Sequence, residues 1–195
     1  MCNVKENNSS DSCIFAEDNK MVTKNLDIVT DRVVKYMIAK GVTVSVAESC
    51  TGGLLSEKIT SVAGASACYC GGVCSYTEEV KMKVLGVKKE TLEKFTVYSA
   101  ETASEMSRGV RELMGTDCSV GITGIAGPSG GTDEKPVGTV YVSVRYSDKE
   151  TVRDLRLYER YEKLDRELIR SAAVKCALEM LEELIADGGE ARKCL

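Results

Sequence analysis

The densest group of side chains able to do chemistry is Ala47-Glu48-Ser49-Cys50-Thr51-Gly52-Gly53, in which a hydroxyl and a thiol are followed by two glycines. The group lies between a β-branched run, Val42-Thr43-Val44-Ser45-Val46, and the helically spaced apolar residues Leu54, Leu55, Ile59 and Val62. A strand breaking this sharply into a helix exposes side chains at the top of a sheet and aims free backbone N–H groups outward. That arrangement suits a nucleophile or an anion. Ser49 as a simple helix cap is the bland alternative. The glycines weigh against it, because each costs a helix roughly 1 kcal/mol relative to alanine, and bare backbone near a helix start suggests a ligand.

A nucleophile needs a base, and the chain has no histidine. Ser-His-Asp and Cys-His pairs and histidine metal ligands are therefore excluded, leaving Lys, Asp, Glu, Tyr or a thiolate. The segment Tyr76-Thr77-Glu78-Glu79-Val80-Lys81 puts a lysine in the first turns of a helix that follows a second strand. Made neutral by burial, Lys81 could take a serine proton; only helix phase separates it from Lys83. A third segment, Gly121-Ile122-Thr123-Gly124-Ile125-Ala126-Gly127-Pro128-Ser129-Gly130-Gly131, continues to Lys135-Pro136-Val137-Gly138-Thr139. It matches neither a P-loop nor a dinucleotide fingerprint. Its glycines, with Thr123, Ser129 and Thr132, would offer N–H and hydroxyl donors to a phosphate.

The elements that must position these residues alternate. Residues 1–20 are polar without periodicity and read as a disordered tail. Residues 21–195 read as one domain, long enough for a single core. Leu26, Val29, Val33 and Met37 mark a helix closed by Gly41. Strands are expected over Val42–Val46, Gly71–Tyr76, Cys118–Thr123 and Val137–Arg145, the last turning at Ser147-Asp148-Lys149 into Thr151–Tyr158. Helices are expected over Glu78–Leu85, from Ser99, and along Leu164, Leu168, Ala172, Cys176 and Leu184. The fold class is α/β, a three-layer α/β/α sandwich whose mixed sheet joins parallel units to a C-terminal hairpin. With the first units parallel, Ser49, Tyr76 and Thr123 all follow C-terminal strand ends, the edge where open α/β sheets bind ligands.

A formal net charge of -4 argues against a nucleic-acid surface, and no apolar run has membrane-spanning length. The start lacks the pattern of a secretion signal, so a cytoplasmic protein is expected. Nine cysteines then read as neither a disulfide scaffold nor a zinc site. Cys68, Cys70 and Cys74 would line one strand face with Tyr76 as small buried hydrophobes.

These segments together resemble the C-terminal domain of the CinA (competence/damage-inducible protein A) family, also found as stand-alone nicotinamide-mononucleotide amidohydrolases. The likeness runs from about Leu26 to Leu184 and includes Gly64-Ala65-Ser66, Arg166-Glu167 and Arg170. It implies hydrolysis of nicotinamide mononucleotide to nicotinate mononucleotide and ammonia, by a Ser/Lys mechanism without metal or cofactor, in a homodimer or higher homo-oligomer. It implies Ser49 as nucleophile, Lys81 as base and Tyr76 as the residue orienting or relaying the proton. Thr123 would contact substrate, Arg166 would pair with its phosphate, and Gly124 and Gly127 belong to the substrate-binding loop. N–H groups around Thr51 and Gly52 would hold the oxyanion. Ser66 and Cys50 are the alternative nucleophiles. Glu78 stands where the family usually has asparagine, and Leu164 where it often has glycine. A nucleotide-binding or regulatory module without catalysis, and an amidase for a different substrate, are the competing readings.

Overall fold

Val44–Glu48 (β1) and Cys118–Gly124 (β3) are buried at every position, which requires neighbours on both edges and cover on both faces. The computed structural model describes residues 9–188, with side chains from residue 21 onward. The remaining strands are Tyr69–Cys74 (β2), Val140–Tyr146 (β4) and Lys149–Asp154 (β5), in the order β2-β1-β3-β4-β5. β1 runs parallel to β2 and β3, whereas β4 pairs antiparallel with both β3 and β5. The expected mixed sheet with a closing hairpin is what forms.

The helices are Ser9–Lys40 (α1), Leu54–Thr60 (α2), Glu78–Leu85 (α3), Lys89–Phe95 (α4), Ala100–Met114 (α5), Leu157–Arg160 (α6) and Arg166–Asp187 (α7). Strand alternation divides the cores. Val44, Val46, Val120, Ile122, Val142 and Val144 face α1, α2 and α7, burying Leu26, Val33, Leu55, Ile169 and Leu181. Ala47 faces Leu85, Val87, Leu92, Met106 and Val110 of the α3–α5 layer. On that side α5 comes very close: a β-carbon at Gly121 would overlap the Ala103 carbonyl. Local signals set the helix ends. Gly41 (φ 64) and Gly86 (φ 65) close α1 and α3, and the Ser99 hydroxyl accepts from Thr102 N–H to start α5.

Several expectations shift. The backbone is already helical from Ser9, within the stretch read as a tail; residues 1–8 lie outside the described residues. The second strand starts at Tyr69 and ends at Cys74, leaving Ser75 to Thr77 as a connection. The fourth starts at Val140, because Gly138 (φ 97) turns the chain against Tyr158. The fifth ends at Asp154, and α6 follows instead of more strand. Helix α4 has no counterpart in the sequence reading. The cysteine expectation is corrected too: Cys68 is buried, but Cys70 and Cys74 are exposed. β2 is an edge strand, and the seven-residue α2 is too short to cover that face.

Candidate active site

The turn after β1 is organised by a carboxylate. Glu48 is 1% exposed. Its Oε2 accepts from the N–H groups of Gly53 and Leu55, both at 3.0 Å. Its Oε1 accepts from Ser56 N–H at 2.9 Å and Ser56 Oγ at 2.7 Å. For the chain to fold back onto its own carboxylate, Gly52 and Gly53 adopt φ 57 and 95, which a β-carbon disfavours. The glycines thus serve the turn, and the N-terminus of α2 is filled by Glu48 itself.

This packing leaves Ser49 fixed at the end of β1. Its N–H donates to the Ile122 carbonyl of β3 at 3.0 Å. Lys81 Nζ donates to Ser49 Oγ at 2.9 Å and to the Ser75 carbonyl at 2.6 Å. Helix phase selects this lysine: Thr77 Oγ1 caps α3 by accepting from Val80 N–H, and Lys81 and Leu85 form the helix's buried edge while Lys83 is exposed. Lys81 is 1% exposed, and burial lowers its amine from the ordinary lysine range to about 8, against weaker opposing effects of Cys50 and Glu78. The neighbouring Cys50 is buried in the core, and desolvation pushes its thiol up to about 12. A neutral thiol there is a poor rival to Ser49.

Ser49, Cys50 and Lys81 line a cavity of about 410 Å³ with Tyr76, Glu78, Val97, Tyr98, Gly124, Gly127 and Arg166. Tyr76 is 63% exposed, and its hydroxyl accepts from Arg166 Nη2 at 3.2 Å. Arg166 Nη1 donates to the Gly127 carbonyl at 2.8 Å, so the guanidinium links the β2–α3 connection to the glycine-rich loop. The Arg166 N–H groups not engaged in these two bonds can meet an anion.

Not every expected residue reaches this space. Thr123 is fully buried, and its hydroxyl donates to the Val97 carbonyl at 2.6 Å, so it supports a wall of the cavity. Thr51 and Gly52 do not line it: the Thr51 carbonyl accepts from Arg170 Nε and Nη2, and Gly52 N–H donates to the Ser49 carbonyl. Ser66 stands before β2, whose first residue pairs with the first of β1, at the opposite sheet edge. Sequence reasoning missed Glu48, and Val97 and Tyr98 as lining. The available signal for Glu48 was its position, an acid immediately before the serine in an otherwise buried strand.

The CinA C-terminal domain family matches residues 26–185. A CinA-like protein of Kosmotoga olearia is 47% identical over 153 residues, which are 78% of this chain and 36% of the relative. The chain therefore spans well under half of the curated relatives it matches. Among solved structures, the competence/damage inducible protein CihA from Agrobacterium tumefaciens superposes with a TM-score of 0.78 at 38% identity, covering 82% of this chain and 95% of that one. A competence-damaged protein (CinA) superfamily protein from Klebsiella pneumoniae gives 0.77 at 34% identity, covering 83% and 98%.

Proposed function

The chain belongs to the CinA C-terminal domain family, and on that premise we propose that its cavity hydrolyses the carboxamide of nicotinamide mononucleotide to nicotinate mononucleotide and ammonia. One observation carries the proposal: a buried lysine with its amine lowered to about 8 lies 2.9 Å from a serine hydroxyl on the cavity wall. With that value about a tenth of Lys81 is neutral at pH 7, far more than for a free lysine.

Neutral Lys81 takes the Ser49 proton as Oγ attacks the amide carbon. The tetrahedral intermediate collapses with cleavage of the C–N bond, and the Lys81 ammonium gives its proton to the departing nitrogen. Water then attacks the acyl ester, Lys81 accepts one of its protons and returns it to Ser49 Oγ, and the acid departs, giving its remaining proton to solvent to become the carboxylate. The Ser75 carbonyl holds the amine in line throughout. Tyr76 and Arg166 also line the cavity and are joined to each other, and there the guanidinium would meet the phosphate. Nucleophile, base and water supply every atom and proton required, so the reaction needs no cofactor. By its family resemblance, the reading extends to pyridine-nucleotide recycling in the cytoplasm by a homodimer or higher homo-oligomer.

The test is ammonia release from nicotinamide mononucleotide by folded protein at pH 8. Release is expected, with nicotinamide riboside a much poorer substrate because Arg166 then has no phosphate to pair. Folded protein that releases no ammonia overturns the proposal. Glu78, an acid on the cavity wall, favours one second reading: a nucleotide-binding module without turnover, marked by tight binding and no ammonia.

A further inference from the structure

Four consecutive carbonyls, from the last residue of α4 into the connection to α5, each accept from a side chain. Phe95 O accepts from Lys135 Nζ at 3.2 Å, and Thr96 O from Ser99 Oγ at 3.1 Å and Thr102 Oγ1 at 2.8 Å. Val97 O accepts from Thr123 Oγ1 at 2.6 Å, and Tyr98 O from Lys135 Nζ at 2.9 Å. Lys135 Nζ also donates to Thr96 Oγ1 at 2.7 Å, and that oxygen accepts from Tyr98 N–H at 3.3 Å. So much support has a local reason. Thr96 sits at φ 71, ψ 171, a conformation that glycine takes freely and a β-branched residue resists. Such a residue persists only where its surroundings over-determine it.

Lys135 is the centre of that support. An ammonium has three N–H donors, and here three acceptors receive them. The charge also stands at the C-terminal end of α4, where a cation is favoured. Its own backbone is fixed by a turn in which Lys135 N–H donates to Thr132 Oγ1 at 3.1 Å and Thr132 N–H to the Lys135 carbonyl at 2.9 Å. Lys135 is thus committed to protein acceptors instead of being held ready for a phosphate, although it lies on the glycine-rich segment. What it fixes is a wall: Val97 and Tyr98 both line the cavity beside Ser49.

We propose that Lys135 is a positioning residue of this site, clamping the Thr96 turn so that Val97 and Tyr98 stand as the wall against the substrate's aromatic ring. The clamp joins the segment after the glycine-rich loop to the α4–α5 connection, so each holds the other's shape. The proposal rests on the amidohydrolase reading for its kinetic consequence, but not for the clamp itself.

Lys135→Met keeps the aliphatic stem and removes the donors. In the unliganded protein, amide exchange at residues 96–98 is expected to rise at least roughly tenfold with the core of α5 unchanged. KM for nicotinamide mononucleotide is expected to rise about tenfold with a smaller fall in kcat, and the ascending limb of the pH profile stays where it is. Thr96→Ala deletes the hydroxyl that accepts from both Lys135 Nζ and Tyr98 N–H; a smaller rise is expected at Thr96 N–H, whose bond to Leu92 it leaves in place, and should the methionine variant not fold that amide reads the clamp. The double variant should fall short of additivity, because both changes remove one shared bond. Unchanged exchange at 96–98, or a fall in kcat at constant KM, overturns the proposal. If wild-type protein releases no ammonia, the catalytic reading falls and the exchange arm still decides the clamp.

Discussion

Ser49 and Lys81 hang from two adjacent parallel strands, β1 and β2, and meet just beyond their common C-terminal edge. The 31 residues between them form α2, a 3-10 turn at Ala65–Ala67, β2 and the first turn of α3, so the pair exists only when the parallel crossover has closed. On the proposed function, the pair sets how turnover responds to pH. Lys81 acts as a base only when neutral, so kcat/KM should climb tenfold per unit below about 8 and level off above it. A pH–rate profile from 6 to 10 checks this. With no histidine in the chain, an ascending limb centred near 6.5 would reject Lys81 as the titrating group.

The same burial costs stability. The folded-state pKa of Lys81 lies below the unfolded one, so the penalty of holding a buried charge is fully present below about 8 and is relieved as pH rises toward 10.5. Lys81→Met should therefore abolish turnover and yet unfold later at pH 7, by about 1–3 kcal/mol, with the advantage shrinking as pH rises toward 10.5. Denaturant melts at pH 7 and pH 10 give both numbers. A variant less stable than wild type at pH 7 contradicts the assignment.

Glu48→Gln replaces one acceptor oxygen with an amide nitrogen facing N–H donors at 2.9–3.0 Å. A loss of about 2–4 kcal/mol is expected from the lost charge-assisted bonds and a donor set against a donor. Because Ser49 is the next residue, kcat should fall roughly tenfold to a hundredfold even in protein that is still folded. Equilibrium unfolding and steady-state kinetics on one preparation separate the two effects.

Cys50 lies beside Ser49, the proposed nucleophile, but its thiol is pushed up to about 12 by burial. At pH 7.5, iodoacetamide should label the exposed Cys70 and Cys74 well before Cys50. Cys50→Ala should keep activity within about fivefold, the loss reflecting packing alone. Peptide mapping after brief alkylation reads the order. A Cys50 that reacts first, or a dead Cys50→Ala variant, would move the nucleophile to sulfur.

Periodicity and punctuation carried much of the fold. β-branched runs bounded by glycine, and helices closed by Gly41 and Gly86 or opened by Ser99, are local signals, and the structure follows them. The Ser49 turn stood out because its residue types are unusual for a helix start. What stayed hidden depends on contacts distant in sequence or on side-chain direction. The role of Glu48 emerges only once β1 is known to be buried on both faces. The bonds that commit the Thr51 carbonyl come from Arg170, far along the chain. Thr96 and Lys135 are separated by 39 residues, and no pattern in either segment announces the other.

The cavity's walls are assembled from separate stretches: the β1–α2 turn, the start of α3, the α4–α5 connection, the loop after β3 and the first residue of α7. No fragment of the chain therefore carries the binding surface alone. A molecule seated there must be released before the domain unfolds, so its affinity adds to the stability of the whole, by about 1.4 kcal/mol for each tenfold excess over its dissociation constant. The melting temperature thus becomes a gauge of occupancy that works for substrates, products and inert analogues alike, without waiting for a bond to break.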